Sequence, residues 1–405
     1  MSPAGGDAYQ TFWAVTFWVC AALLVYVYLG YPALAWARAA LAPPPALAIA
    51  PPPAVTVIVV AHDEADRIAA RIDNLLAQEY PRDRLEILIA SDGSTDGTAS
   101  LARAYARDGV AVHAFAVRRG KAAVLNDVVP RARGAIVVLA DARQRFEPDA
   151  VRALTRPFAD PAVGAVSGEL ILTETLEGPA VGRGVGVYWR YEKLIRKSES
   201  RVDATVGATG AVYAIRRELF EPIPEDTLLD DVLIPLRIVR RGYRVLFEPA
   251  ARAWDRVAAS AGEELARKVR TLAGNFQLFA REPWLLDPRR NRIWLATVSH
   301  KGLRLLGPVL HAAAFAASAA LAGARLYRAA LVVQALFYAL ALAGHAIRNS
   351  RRRSALLSVP YVVCLLNWAT VVGFLRFATG RQSASWARAS GPPRPVTVEW
   401  RPRRR

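Results

Sequence analysis

Cysteine is nearly absent. The 405 residues hold two, Cys20 and Cys364, and both lie inside apolar stretches. Neither a disulfide framework nor a paired-thiol metal site can be built from them. Acidic residues are also scarce beside basic ones, 35 Asp and Glu against 53 Lys and Arg, for a net charge of +18. A surplus of that size could mark a nucleic-acid binder. No compact nucleic-acid motif is present, however, and the arginines gather beside apolar segments and at the C-terminus, so nucleic acid is not an expected partner. Hydrophobic residues make up 53% of the chain, and mean hydropathy is +0.18. Those values conflict with the net charge in a uniformly soluble protein. They agree if long apolar segments alternate with basic flanks, which is the membrane pattern.

Residues 11–36 are almost free of charge and long enough to cross a bilayer. A cleaved signal peptide would need a basic region before them, and none is present. Only Asp7 precedes the segment and Arg38 follows it, so what comes next is expected in the cytoplasm. Residues 1–40 thus read as an anchor. Residues 41–54 are a Pro-rich, extended spacer. Beyond Pro283, residues 284–304 mix Trp, Leu and basic side chains, which suits a helix lying in the interface. Residues 305–323, 329–346 and 355–378 are three further apolar stretches within a C-terminal membrane region, 305–380. Three full crossings would leave the basic tail, 381–405 with Arg381, Arg388 and Arg403, outside, against the positive-inside tendency. One stretch is therefore expected to be re-entrant. Pro360 and Gly373 single out the last.

Between the membrane regions, residues 55–283 alternate short apolar runs with amphipathic segments, implying βαβ units and a mainly parallel sheet. Val55 to Ala61 is a buried strand. Ile68, Ile72, Leu75 and Leu76 then mark one face of a helix. The run Leu85 to Ala90 breaks into Ser91-Asp92-Gly93-Ser94-Thr95-Asp96, and residues 135–141 repeat the design, ending in Asp141. Carboxylates at the ends of buried strands sit where open α/β sheets bind ligands. Two of them suit a nucleotide-and-metal site. Lys121 opens a helix against the dipole, which a bound anion would explain. Asp230-Asp231 precedes another apolar helix. As residues alone they could be a cap pair or an acid–base group.

In their order, these motifs make the region from about Val55 to Gln277 resemble the family 2 glycosyltransferases of GT-A fold. The anchor before it and the apolar segments after it are similar to the membrane synthases of cellulose, chitin, hyaluronan and poly-N-acetylglucosamine. The resemblance implies a bacterial-type inner-membrane, multi-pass enzyme with a cytoplasmic catalytic domain. Its donor would be a nucleotide sugar, UDP-linked in that family. It implies roles residue by residue. Asp63 or Glu64 would face the base, and Asp92 would hold the nucleoside. Lys121 and Asn126, in G-K-x-x-x-x-N, would approach the donor. Asp141 would hold Mg²⁺ or Mn²⁺, although Arg143 stands where the family's D-x-D has its second Asp. Asp231, on the final Asp of T-E-D, would be the base, with Asp230 and Gly210 on the acceptor side. Arg270 would stabilise the departing diphosphate beside Arg267, which replaces the Gln of Q-x-x-R-W; Thr271 replaces the Trp that stacks on acceptor sugar. Extension of a glycan is the leading expectation. Transfer of one sugar to a polyprenyl phosphate or glycolipid is the second, and a silent membrane scaffold the third.

Overall fold

The run of β-branched residues in β1 (Val55–Ala61) cannot be solvated on either face, and it forms a central strand. The computed structural model describes residues 3–43, 50–173, 181–256, 261–347 and 355–383, so the middle of the Pro-rich spacer and the basic tail beyond Ser383 lie outside it. β1 pairs in parallel with β2 (Leu85–Asp92), Val55 opposite Leu85 through Ala61 opposite Ser91. On its other side β1 pairs in parallel with β4 (Ile136–Asp141). β3 (Val110–Phe115) extends the parallel half beyond β2. Asp92 and Asp141 therefore end strands that flank β1 and point the same way.

The second half of the sheet is mixed. β7 (Val212–Arg216) runs antiparallel to β4 and to β6 (Val163–Thr173), and β6 runs parallel to β8 (Arg244–Arg256). The two-residue β5 (Arg145–Phe146) lies antiparallel to β8 and completes the order β3-β2-β1-β4-β7-β6-β8-β5. Two apolar layers sandwich the sheet. One gathers Ile58, Leu88, Leu125, Leu139, Ile215 and Leu236; the other gathers Val57, Ile68, Ile72, Ile89, Val138 and Leu154. The helices packed in these layers are α3 (Ala65–Leu76), α4 (Thr98–Arg103, through Ala102), α5 (Lys121–Val128), α6 (Ala150–Thr155) and α8 (Asp230–Arg240). The α/β class is as expected; the sheet, expected to be mainly parallel, is mixed, because β7 and β5 run antiparallel to their neighbours.

Around this domain lie helices long and apolar enough to span a membrane. α1 (Pro3–Val25) continues through a π-helical turn, Tyr26–Gly30, into α2 (Tyr31–Leu41). Within it, Asp7–Leu41 passes as one span. α13 (Arg325–Ala346) and α14 (Ala355–Ala378) are two more. α7 (Val181–Val202) and α9 (Ala261–Arg281) join these helices to the sheet domain.

Two expectations are corrected here. The last apolar stretch is not the broken one: α14 is a continuous helix of 24 residues with Pro360 inside it. Gly373 does not loosen it; the missing side chain lets it lie on α9, where a Cβ would come within 3.0 Å of the Ala273 nitrogen. The break falls earlier. α10 (Trp294–Ala296), a π-helical turn Thr297–Gly302 and α11 (Leu303–Leu305) lead into α12 (Gly307–Ala320) across a 60° bend. This pair is a broken span or a re-entrant loop, and residues 284–304 are not one interfacial helix. Thr297, Ser299 and His300 are buried instead of facing water.

Candidate active site

The turn after β2 depends on a glycine. Gly93 has φ +61°, and a Cβ there would sit 2.3 Å from the backbone nitrogen of Arg118. That close approach lets the buried Asp92 carboxylate accept the backbone N–H of Arg119 at 2.6 Å and of Gly120 at 2.9 Å. The clamp fixes where α5 starts, so its first residue, Lys121, is aimed at the neighbouring strand end. Lys121 Nζ lies 2.9 Å from Asp141 Oδ1 and 3.4 Å from Asp230 Oδ2. Burial alone would pull the ammonium down, but Asp141 and Asp230 hold it above the ordinary lysine value.

Asp231 comes from the first turn of α8, and its carboxyl chemistry is set by close backbone packing. Gly210 N–H donates to Asp231 Oδ2 at 2.9 Å, and a Cβ on Gly210 would lie 2.8 Å from that oxygen. Ala208 N–H donates to the Asp231 carbonyl at 2.7 Å. Asp231 Oδ1 has no hydrogen-bond partner among the described residues. Burial and the adjacent Asp230 push this carboxyl up to about 6, against the opposing charges of Lys121, Lys301 and Arg196. A carboxylate poised near neutral pH with one free oxygen suits proton abstraction.

From α9, Arg270 reaches the same acids. Burial lowers its guanidinium from the ordinary value, while Asp230, Asp231 and Asp141 act the other way. Tyr213, fully buried on β7, faces Asp230, Asp231 and Asp141; burial and those charges keep its phenol protonated. The structure thus brings Lys121, Asp141, Gly210, Asp230, Asp231 and Arg270 together. Asp92 stands behind Lys121.

Other sequence candidates are placed differently. Asn126 does not face the donor side: its Nδ2 donates to the Ile223 carbonyl at 2.7 Å and its Oδ1 accepts Ile223 N–H at 2.9 Å. The amide pins the loop before α8. Arg267 is paired with Glu263 on its own helix. Asp63, at φ 52°, uses Oδ1 to accept Thr95 N–H at 2.8 Å, and Glu64 Oε2 takes Arg67 at 2.7 Å. Asp96 caps two helices at once, accepting Thr98 N–H at 3.1 Å and Ala65 N–H at 3.0 Å. Thr271 is exposed, so no aromatic platform exists at that position.

Three site residues escaped the sequence: Asp255, Arg196 and Lys301. Arg143, the departure from the family motif, is matched by buried Asp255 at the end of β8, 3.0 Å away, with Gln144 donating to the same carboxylate at 2.9 Å. Arg196, from α7, donates to Thr209 Oγ1 at 2.8 Å beside Gly210. Lys301 comes from the π-helical turn. A charged residue on an amphipathic helix carries no local sign that it points into a site.

For a divalent cation, the described residues contain no cluster of three or more His, Cys, Asp or Glu side chains. Asp141 supplies one carboxylate. That donor set fits Mg²⁺ or Mn²⁺ only when substrate phosphate oxygens and water complete the shell, a common arrangement for these ions.

The chain has known relatives. Residues 56–223 match the family described as Glycosyl transferase family 2, so the chain carries a family 2 glycosyltransferase domain. The chain is similar to the poly-beta-1,6-N-acetyl-D-glucosamine synthase of Staphylococcus aureus strain MSSA476, with 25% identity over 234 residues, 56% of each chain. It is also similar to "Probable glycosyltransferase YdaM" of Bacillus subtilis strain 168, with 25% identity over 221 residues and 50% of each chain covered. The chain spans about half the length of these curated relatives. Among solved structures, the mannosyltransferase PcManGT from Pyrobaculum calidifontis, in complex with GDP-Man and Mn²⁺, superposes with TM-score 0.69 at 26% identity. That match covers 90% of this chain and 99% of the other, and confirms the GT-A fold.

Proposed function

We propose that the chain is an inverting glycosyltransferase that moves one sugar at a time from a nucleoside-diphosphate sugar to a hydroxyl of an acceptor held at a membrane. The observation that carries this is Asp231. Its carboxyl is raised to about 6, fixed on one oxygen by Gly210 N–H and open on the other, and it lies beside a cationic pair, Lys121 and Arg270.

In this reading the donor diphosphate lies against Lys121 and Arg270, whose charges oppose the negative charge that grows as the bond from sugar to phosphate breaks. Lys121 would leave its bridge between Asp141 and Asp230 to meet the phosphates. A divalent cation on Asp141 would add further neutralisation of the diphosphate when bound. Asp231 Oδ1 takes the proton from the acceptor hydroxyl as its oxygen attacks the anomeric carbon from the face opposite the diphosphate. Asp92 sets the start of α5 and so the aim of Lys121. It also lies where the resemblance puts the nucleoside. Uridine is expected from that resemblance, and guanosine is the base in the mannosyltransferase neighbour, so both belong in any donor panel.

The apolar helices would place the domain against the inner face of a bacterial-type membrane. Leu326, Val332, Val333, Leu336 and Leu342 of α13 point outward and are exposed, as hydrocarbon contact would require. Glycan extension, the activity named for the staphylococcal relative, remains one reading. Transfer of a single sugar is favoured by the exposed Thr271 and by the mannosyltransferase match over nearly the whole chain. Membranes incubated with labelled GDP and UDP sugars separate them: one added sugar supports the second reading, a ladder the first. Transfer from no donor, with nucleotide still bound, would overturn both.

A further inference from the structure

The strongest feature outside the donor site is a buried charge cluster where the membrane helices meet the domain. On α7, Glu192, Arg196 and Glu199 lie on one face by their spacing of four and seven residues. His300 bridges both acids: Nε2 lies 2.9 Å from Glu192 Oε2, and Nδ1 lies 2.8 Å from Glu199 Oε1. Arg304 pairs with Glu192 as well, and Tyr31 OH donates to Glu199 Oε1 at 2.6 Å. Both carboxylates are thus fully answered, and burial notwithstanding they are held below the ordinary carboxylate range by these partners.

Two cations are left over. Arg196 has one hydrogen bond, to the neutral Thr209 Oγ1, and no ion pair among the described residues. Lys301, next to His300, has neither a hydrogen bond nor an ion pair among them. Partly shielded positive charge without a carboxylate partner is costly unless an anion arrives. The donor diphosphate is not the natural occupant, because Lys121 and Arg270 already face it from α5 and α9. Arg196 bonds Thr209, the neighbour of the Gly210 that holds Asp231 Oδ2, and Lys301 stands on the π-helical turn that Tyr26 ties to the N-terminal span through Ser299 at 2.8 Å; both positive charges act on Asp231.

We infer that Arg196 and Lys301 form an anion site for the acceptor, which is a saccharide carried on a lipid phosphate or diphosphate. This rests on the transferase reading above and names its acceptor class. The phosphate is a handle, not the nucleophile. The sugar hydroxyl oxygen forms the new bond to the donor's anomeric carbon, its proton passes to Asp231, and the nucleoside diphosphate leaves with the electrons of the broken C–O bond.

The test uses full-length protein in detergent with the donor site saturated by GDP or UDP, and farnesyl diphosphate and farnesol as probes. Farnesyl diphosphate should bind about a hundredfold more tightly than farnesol, about tenfold for each of two charge-assisted contacts. Lys301→Met and Arg196→Met should each erase about tenfold of that preference, and Lys301→Arg should restore most of it. Nucleotide affinity of each variant reports its folding. Equal affinity for the two probes, loss of farnesyl diphosphate binding in saturating nucleotide compared with none, or an unchanged preference in a folded Lys301→Met variant would overturn the inference. The charge-dependent pattern without sugar transfer from any donor would sink the transferase reading and leave the anion site standing.

Discussion

Replacing Asp231 by Asn should separate catalysis from stability in opposite directions. Asn keeps an oxygen to accept Gly210 N–H, so the backbone contact at 2.9 Å survives while the proton acceptor is lost. Turnover should fall roughly 10²–10⁴-fold, the usual worth of a positioned base. Nucleoside diphosphate affinity should change little, because the donor is assigned to Lys121 and Arg270. Stability should rise. A carboxyl raised from its ordinary 3.8 to about 6 is destabilised in its ionised form, by roughly 3 kcal/mol at most. The sign is that of a raised acid: the penalty is absent below the unfolded value, grows as pH rises from about 4 to 6, and is complete above it. The variant should therefore melt higher than wild type at pH 7.5 and lose that advantage near pH 4. The wild-type rate should fall on the acid side with an apparent pKa of about 6, owned by the Asp230–Asp231 pair. Paired melting curves, nucleotide titration and initial rates at several pH values would check this. A small rate loss, equal to that of Asp230→Asn, would mean that the two acids merely open α8, and the mechanism would be refuted.

Asp92→Ala should remove the acceptor of two backbone N–H groups and cost roughly 2–4 kcal/mol; a melting shift of less than about 2 °C would show that the clamp is unimportant. EDTA should suppress transfer, and Mg²⁺ or Mn²⁺ should restore it; full activity in chelator would show that Lys121 and Arg270 suffice for the diphosphate. A reporter fused after Arg405 should lie on the same side of the membrane as one inserted near Pro53, since a re-entrant 294–320 pair leaves three crossings. A tail on the opposite side would make that pair a full span.

The parallel half of the sheet was legible because buried strands need unbroken apolar runs, and acids at their ends have no packing reason to be there. Asp92 and Asp141 could be picked out on those grounds, whereas Asp231, in the first turn of α8, is assigned only by its place in the family's T-E-D motif. The other half was not: β8 spreads over Arg244–Arg256 with Pro249 inside and a register shift opposite Gly168, so it shows no clean run. Asn126 is assigned to the donor by its place in G-K-x-x-x-x-N; its bond to Ile223, 97 positions away, has no local sign in the sequence. Pro360 and Gly373 suggested a break in α14, yet a glycine that admits α9 and one that bends a helix look identical in sequence. Arg196, Lys301 and Asp255 became visible only when tertiary packing brought α7, the π-helical turn and β8 to the site.

The most direct measurement is the anomeric configuration of the product. Membranes carrying the chain would be given α-linked GDP and UDP sugars labelled at the anomeric carbon, and the transferred sugar read by NMR. With Asp231 as base and the diphosphate leaving from the opposite face, the new linkage should be β throughout. An α-linked product would contradict the single-displacement chemistry assigned to this site.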